Sequence, residues 1–112
     1  IYGSNDTAVK ISKSVTVDSK INLISFIDED KSKSGKEING VKIYHSDNIS
    51  RIFTKYRISH VLIGIPDMRY EEKQEIIKLF EKYNTRILFY PNLISTINNL
   101  NNSLESNSFN FK

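Results

Sequence analysis

Two short apolar runs, each ended by a proline and separated by an amphipathic stretch, constrain this chain more than any other feature. His60 to Ile65 reads His-Val-Leu-Ile-Gly-Ile before Pro66, and Thr85 to Tyr90 reads Thr-Arg-Ile-Leu-Phe-Tyr before Pro91. An unbroken apolar run has no polar face to offer water, so His60 to Ile65 is expected to be a strand covered on both sides. Over Arg69 to Tyr83, Ile76, Ile77, Leu79, Phe80 and Tyr83 recur at helical spacing among Glu, Lys and Gln. That spacing predicts an amphipathic helix. Strand, helix and strand within 31 residues make a parallel crossover unit, because parallel neighbours need a long connection across one face of the sheet.

The first half repeats the theme. Ile1 and Tyr2 read as the end of a strand, Asp6 to Val17 as a short helix, and Ile21 to Ile27 as a second strand. A loop rich in charge and glycine follows from Asp28 to Gly40. Val41 to Tyr44 is the next strand, and Ser46 or Asp47 is placed to cap a helix holding Ile49, Ile52, Phe53 and Tyr56. Alternating strands and helices imply an α/β fold: an open parallel sheet of about five strands with helices on both faces. Asn92 to Leu100 suits a last helix. This one domain is expected to span residues 1–97, with 98–112 an Asn- and Ser-rich tail or linker.

Composition narrows the function classes. The chain has 112 residues, enough for one domain to bury a core without disulfides or metal. No cysteine is present, which excludes zinc ribbons, iron–sulfur centres and thiol nucleophiles. No apolar run approaches the roughly 20 residues of a membrane helix, so the chain is not expected to insert in a bilayer. The net charge is +3, but the lysines are interspersed with acids and only four arginines occur. No basic stripe with interleaved aromatics results, and nucleic acid is not an expected partner. Ile1 reads as the inside of an element, so the chain is expected to be an excised domain.

In an open parallel sheet the first strand-to-helix turn is where a phosphate meets unpaired helix N–H groups. Here that turn is Ile1-Tyr2-Gly3-Ser4-Asn5-Asp6-Thr7-Ala8. Against Gly-x-Gly-x-x-Gly/Ala it matches at Gly3 and Ala8, while Asn5 replaces the glycine that admits a pyrophosphate. Asp6 is either a helix cap or a charge that repels an anion. Asp28 follows the second strand, 25 residues beyond Gly3, where a carboxylate accepts hydrogen bonds from ribose hydroxyls. A solvated acidic turn explains the same residues. A ligand across the strand ends would touch Gly3, Ser4, Asn5 and Thr7, with Asp28 at one side and Ile65, Pro66 and Asp67 at the other.

Nothing in the chain spells catalysis. His45 and His60 have no Ser or Asp set in triad order, and no tyrosine is followed four residues later by lysine. Glu71, Glu72, Glu75 and Glu81 are interleaved with Lys73, Lys78 and Lys82 and read as a solvated helix face.

The order of segments resembles a known family. Ile1-Tyr2-Gly3, then Ile24-Ser25-Phe26-Ile27-Asp28-Glu29-Asp30-Lys31-Ser32-Lys33-Ser34-Gly35-Lys36, then Ile38-Asn39-Gly40-Val41-Lys42-Ile43-Tyr44 is similar to the nucleotide-binding-like domain of membrane-bound nucleotide-sugar 4,6-dehydratases and epimerases of bacterial polysaccharide and glycan synthesis. Val61-Leu62-Ile63-Gly64-Ile65-Pro66 and Arg86-Ile87-Leu88-Phe89-Tyr90-Pro91-Asn92-Leu93 resemble its later strands. The resemblance covers residues 1–97 and departs at Gly3-Ser4-Asn5, where the family carries Gly-Ala-Gly. It implies a Rossmann-like accessory domain, without catalytic residues of its own, beside a C-terminal catalytic domain that uses NAD. The parent would be attached to the inner membrane with this domain on the cytoplasmic side. NAD or a UDP-sugar is the implied ligand class, and the missing catalytic domain or a second copy the implied partner. The acid-, lysine- and glycine-bearing loop also resembles the N-terminal nucleotide-sugar-binding domain of sugar acyltransferases. It resembles, too, the NAD(H)- or CoA-binding domain of redox-responsive repressors and ligases. A degenerate scaffold serving only protein contacts is the remaining alternative.

Overall fold

The computed structural model describes residues 1–16 and 21–99. In chain order the elements are α1 (Asp6–Thr16), β1 (Phe26–Asp28), β2 (Glu37–Ile38), β3 (Val41–His45), α2 (Ile49–Lys55), β4 (His60–Ile63), α3 (Tyr70–Phe80) and β5 (Arg86–Phe89). A further helical run covers 92–99. Single 3₁₀ turns, Lys31–Lys33 and Ser46–Asn48, precede β2 and α2. The tail expected over 98–112 lies outside the described residues beyond position 99.

The strands form a three-stranded mixed sheet, β1-β3-β2, and a two-stranded parallel sheet, β4-β5. Between them run residues 1–3. Tyr2 makes parallel bridges to Ile27 and to Ile63. Its N–H donates to the Leu62 carbonyl at 2.8 Å, its carbonyl accepts from Gly64 N–H at 2.8 Å, and Gly3 N–H donates to the Ile27 carbonyl at 2.7 Å. A single bridging residue thus stands where the sequence predicts a first strand.

The all-parallel expectation is corrected by β2, which pairs antiparallel with β3. Asn39 and Gly40 turn the chain between them at φ 51° and 83°, the paired positive values that a two-residue hairpin turn requires. A second correction is β1, which begins at Phe26 instead of Ile21. Residues 21–25 carry no strand pairing; Ile21 and Leu23 pack instead against Ile11, Val15, Leu93 and Ile97.

Strand alternation divides the core. Val61 and Ile63 share one cluster with Ile49, Ile52, Ile76 and Phe80 from α2 and α3. Leu62, pointing the other way, joins Ile11 and Val15 of α1 and Leu93 and Ile97 of the 92–99 run. Period-two geometry sends adjacent side chains to opposite faces, so β4 is buried on both, as its unbroken apolar run requires.

At the N-terminal ends of the strands is an apolar cavity of about 370 Å³ lined by Leu23, Ile27, Ile52, Phe53, Ile58 and His60, among others. His60 Nδ1 meets Ser59 Oγ at 2.8 Å, while Nε2 is buried without a partner. Burial, and then the charge of Arg86, holds its pKa below the ordinary histidine value of 6.5. The folded state therefore favours neutral imidazole, and the unfolded state binds the proton first as pH falls. Wild type is expected to lose stability, relative to His60→Gln, as pH drops from above 6.5 through the lowered folded-state pKa. Parallel denaturant titrations across pH 5–8 measure it; a constant difference between the two proteins contradicts it.

Candidate functional site

The opposite, C-terminal ends of the strands bring together most of the residues that the turn analysis singles out. Gly3 leaves the sheet at φ +106°, and a Cβ there would lie 3.2 Å from the Gly64 carbonyl oxygen and 3.3 Å from Ile65 Cγ1. Only glycine suits both the backbone and the space. A Cβ on Gly64 would in turn lie 2.9 Å from Ala8 Cα and Cβ. The small residue at the end of the turn motif thus lets α1 approach the strand end closely. Asp6 is the first residue of α1 and Thr7 the next.

Asp28, at the end of β1, is anchored from two sides. Its Oδ1 accepts from the Asp30 N–H at 2.8 Å, and its Oδ2 accepts from the Ser4 hydroxyl. The Asp28 side chain is 14% exposed. Lys33 Nζ lies 3.8 Å from Asp28 Oδ2 and donates to Asn5 Oδ1. The Lys31–Lys33 turn that delivers it is capped by Asp30, whose side chain accepts from Ser32 N–H at 3.0 Å and Ser32 Oγ–H at 2.7 Å. Those bonds, helped by the charges of Lys33 and Lys36, hold the Asp30 carboxyl below its ordinary pKa.

Beside this network is a cleft of about 170 Å³ lined by Tyr2, Gly3, Asp28, Glu29, Ile65 and Met68, closed from α3 by Glu72, Glu75 and Ile76. The Tyr2 hydroxyl donates to Glu29 Oε1 at 2.6 Å. Burial first, then the hydrogen bond and charge of Glu29, raise its pKa, so the phenol stays protonated. Glu72 accepts from Arg69 N–H at 3.1 Å and Nε–H at 3.0 Å. It pairs with arginine, where the sequence suggests lysine partners, and these bonds hold its carboxyl below the ordinary range. His45 is fixed by the Glu29 carbonyl at 3.0 Å and by Asp47 N–H at 3.1 Å, a structural role at the end of β3.

Of the residues expected at the site, Gly3, Asp28 and Ile65 line the cleft, and Ser4 and Asn5 join it through Asp28 and Lys33. Thr7, Pro66 and Asp67 are not among its lining residues; Pro66 and Asp67 are exposed, Asp67 at φ 56°. Sequence reasoning missed Tyr2, Glu29, Lys33, Met68, Glu72 and Glu75. Glu72 was legible in principle, since the first turn of a helix that follows a strand stands over that strand's end, and Glu75 follows one turn on. Lys33 carried no such signal. Among the described residues no group of three or more potential metal ligands occurs. No described helix is long and apolar enough to cross a membrane.

No family model matches the chain, and no curated protein does. Among solved structures it is similar to UDP-D-quinovosamine 4-dehydrogenase from Vibrio fischeri, with a TM-score of 0.73 and 28% identity over 87% of this chain and 80% of that one. It also matches the Rex-family repressor RSP, with a TM-score of 0.64 and 12% identity over 99% of this chain and 61% of that one. The second likeness is one of fold alone. The first makes the fold Rossmann-like and related to that of a nucleotide-sugar enzyme.

Proposed function

We propose that this chain is a Rossmann-like domain that binds a nucleotide or nucleotide-sugar and catalyses nothing itself, serving a larger enzyme that modifies nucleotide-sugars in polysaccharide or glycan synthesis. The observation that carries the reading is the place of residues 1–3. Counted as a strand, they make one layer ordered β3-β1-(1–3)-β4-β5, with β2 antiparallel at the edge. The chain order reverses at that central strand, and ligands of open α/β sheets bind at such a point. Gly3, a turn residue without a side chain, and Asp28, a carboxylate lining the cleft and able to accept from ribose hydroxyls, support that placement. The likeness to a UDP-D-quinovosamine 4-dehydrogenase supports the choice of ligand class. The cleft is smaller than the roughly 300–1,000 Å³ of whole-ligand pockets; it suits one sugar ring, with the remainder of the ligand lying over the turn. The same reading places the domain on the cytoplasmic side of a membrane-attached parent, against a catalytic domain that uses NAD.

Thermal unfolding with NAD, NADP, CoA, UDP and UDP-N-acetylglucosamine at millimolar concentration tests it. A ligand at about 100 times its Kd adds about 2.7 kcal/mol, on the order of 10 °C for a domain of this size. Asp28→Ala is expected to weaken the stabilising ligand about tenfold or more, the loss of hydrogen bonds to a charged acceptor. If none of the five compounds shifts the transition, the scaffold for protein contacts replaces this reading.

A further inference from the structure

We propose that Lys33 is the phosphate-recognising residue of this site, its ammonium group doing at the first turn what backbone N–H groups around a second glycine would otherwise do. The inference rests on the nucleotide-binding reading above and adds to it the residue and the orientation. Asn5 stands where a glycine would let a pyrophosphate reach the backbone, and its side chain is turned to Lys33 Nζ, 28 residues along the chain. An ammonium group has three donors. One goes to Asn5 and the Asp28 carboxylate pairs with the group at 3.8 Å; a third donor is then available to an anion at the mouth of the turn. The Lys33 side chain is 29% exposed, half-sheltered and reachable from solvent.

Charge decides the orientation. Asp28 borders both the turn and the adjoining cleft and is offset by Lys33 at 3.8 Å; the cleft adds Glu29, Glu72 and Glu75, and Arg69 is drawn to Glu72 at 3.0 Å. A phosphate in that cleft would face carboxylates at short range and be repelled. Hydroxyl and amino groups are suited to it, because ionised carboxylates only accept hydrogen bonds. The diphosphate of a nucleotide therefore lies on the Lys33 and Asn5 side, and the hydroxyl-bearing part lies over Tyr2, Glu29 and Met68. Lys31 and Lys36 flank the same loop but show no contact with Asn5 or Asp28 among the described residues.

Calorimetric titration at low salt with UDP against uridine, and ADP against adenosine, tests the assignment. Wild type is expected to bind the diphosphate of at least one pair tenfold or more tightly than its nucleoside. Lys33→Gln should bring that ratio to within about twofold of unity, the diphosphate losing several times more affinity than the nucleoside. Lys33→Arg should keep most of the preference, and Lys31→Gln and Lys36→Gln should retain it. If Lys33→Gln keeps the diphosphate preference, or loses nucleoside and diphosphate affinity equally, the assignment falls while the nucleotide site stands. If wild type binds none of the four compounds, the assignment falls, and the five-compound unfolding test separately decides the nucleotide-binding reading.

Discussion

Phe80→Ala is expected to destabilise the domain by about 3–5 kcal/mol, the usual range for truncating a fully buried aromatic ring. At about 4–8 °C per kcal/mol for a domain of roughly this size, the melting temperature should fall on the order of 20 °C. Phe80 has no exposed surface. Its ring meets Tyr2 edge-on, with centroids 5.8 Å apart and planes at 90°, and lies 5.9 Å from Phe53, which stacks on Tyr83 at 4.1 Å. Truncation therefore removes the ring's contacts with Tyr2 and Phe53 and leaves a cavity under the residue that joins the two sheets. Leu79, one position earlier and 39% exposed, provides the control. Leu79→Ala should cost clearly less, because more than a third of its surface stays in water and its truncation leaves no closed cavity. A Phe80→Ala protein melting within about 5 °C of wild type would contradict this account of the core.

The second large effect is at Gly64. Gly64→Ala places a methyl group 2.9 Å from both Cα and Cβ of Ala8, and a contact with Cα cannot be relieved by turning a side chain. Helix α1 has to move away from the strand end, with an overpacking cost of about 1–3 kcal/mol. Gly64→Val should cost more and approach the limit of what a domain with roughly 5–15 kcal/mol of total stability can bear. Ala8 and Gly64 are in direct contact, so their effects should not add. Combined with Ala8→Gly, the alanine at position 64 should cost less than it does alone, since one of its two closest neighbours is gone. Denaturant unfolding of the two single variants and the double variant measures the coupling. Strict additivity would show that α1 does not rest on Gly64 as described. Because α1 starts beside the candidate site, Gly64→Ala should also weaken any ligand that stabilises wild type.

Much of the fold was legible in the residues alone. The apolar run of β4, the helical spacing of Ile76 and Phe80 in α3, and the run of β5 each record how deeply an element is buried, and burial on both faces implies the crossover. The expected bounds of α3 exceed the observed ones by one residue at the start, Arg69, and by three at the end, up to Tyr83. Hydrophobic periodicity reports which face is buried and does not report where the last backbone bond forms. The stretch before Phe26 misled for the same reason: Ile21 and Leu23 are apolar because they cover the cluster around α1, not because they join the ladder. The β2 hairpin was written in Asn39-Gly40, a turn signal hidden inside a loop that reads as charged and irregular.

The site divides along the same line. Sequence by itself determined that Gly3 opens the turn after the chain's first apolar residues, that Ala8 is small where a helix must approach closely, and that Asp28 stands at the end of the neighbouring strand, because these are consequences of local geometry and of a regular alternation of elements. Only the tertiary structure decided which charges meet. Lys33 reaches Asn5 across 28 residues, and Tyr2 reaches Glu29 across 27. Those pairings depend on how closely α1 sits on Gly64 and on where the Asp30-capped turn aims its lysine. Spacing along the chain records contacts between neighbours in an element; contacts between separate loops follow from the packing beneath them.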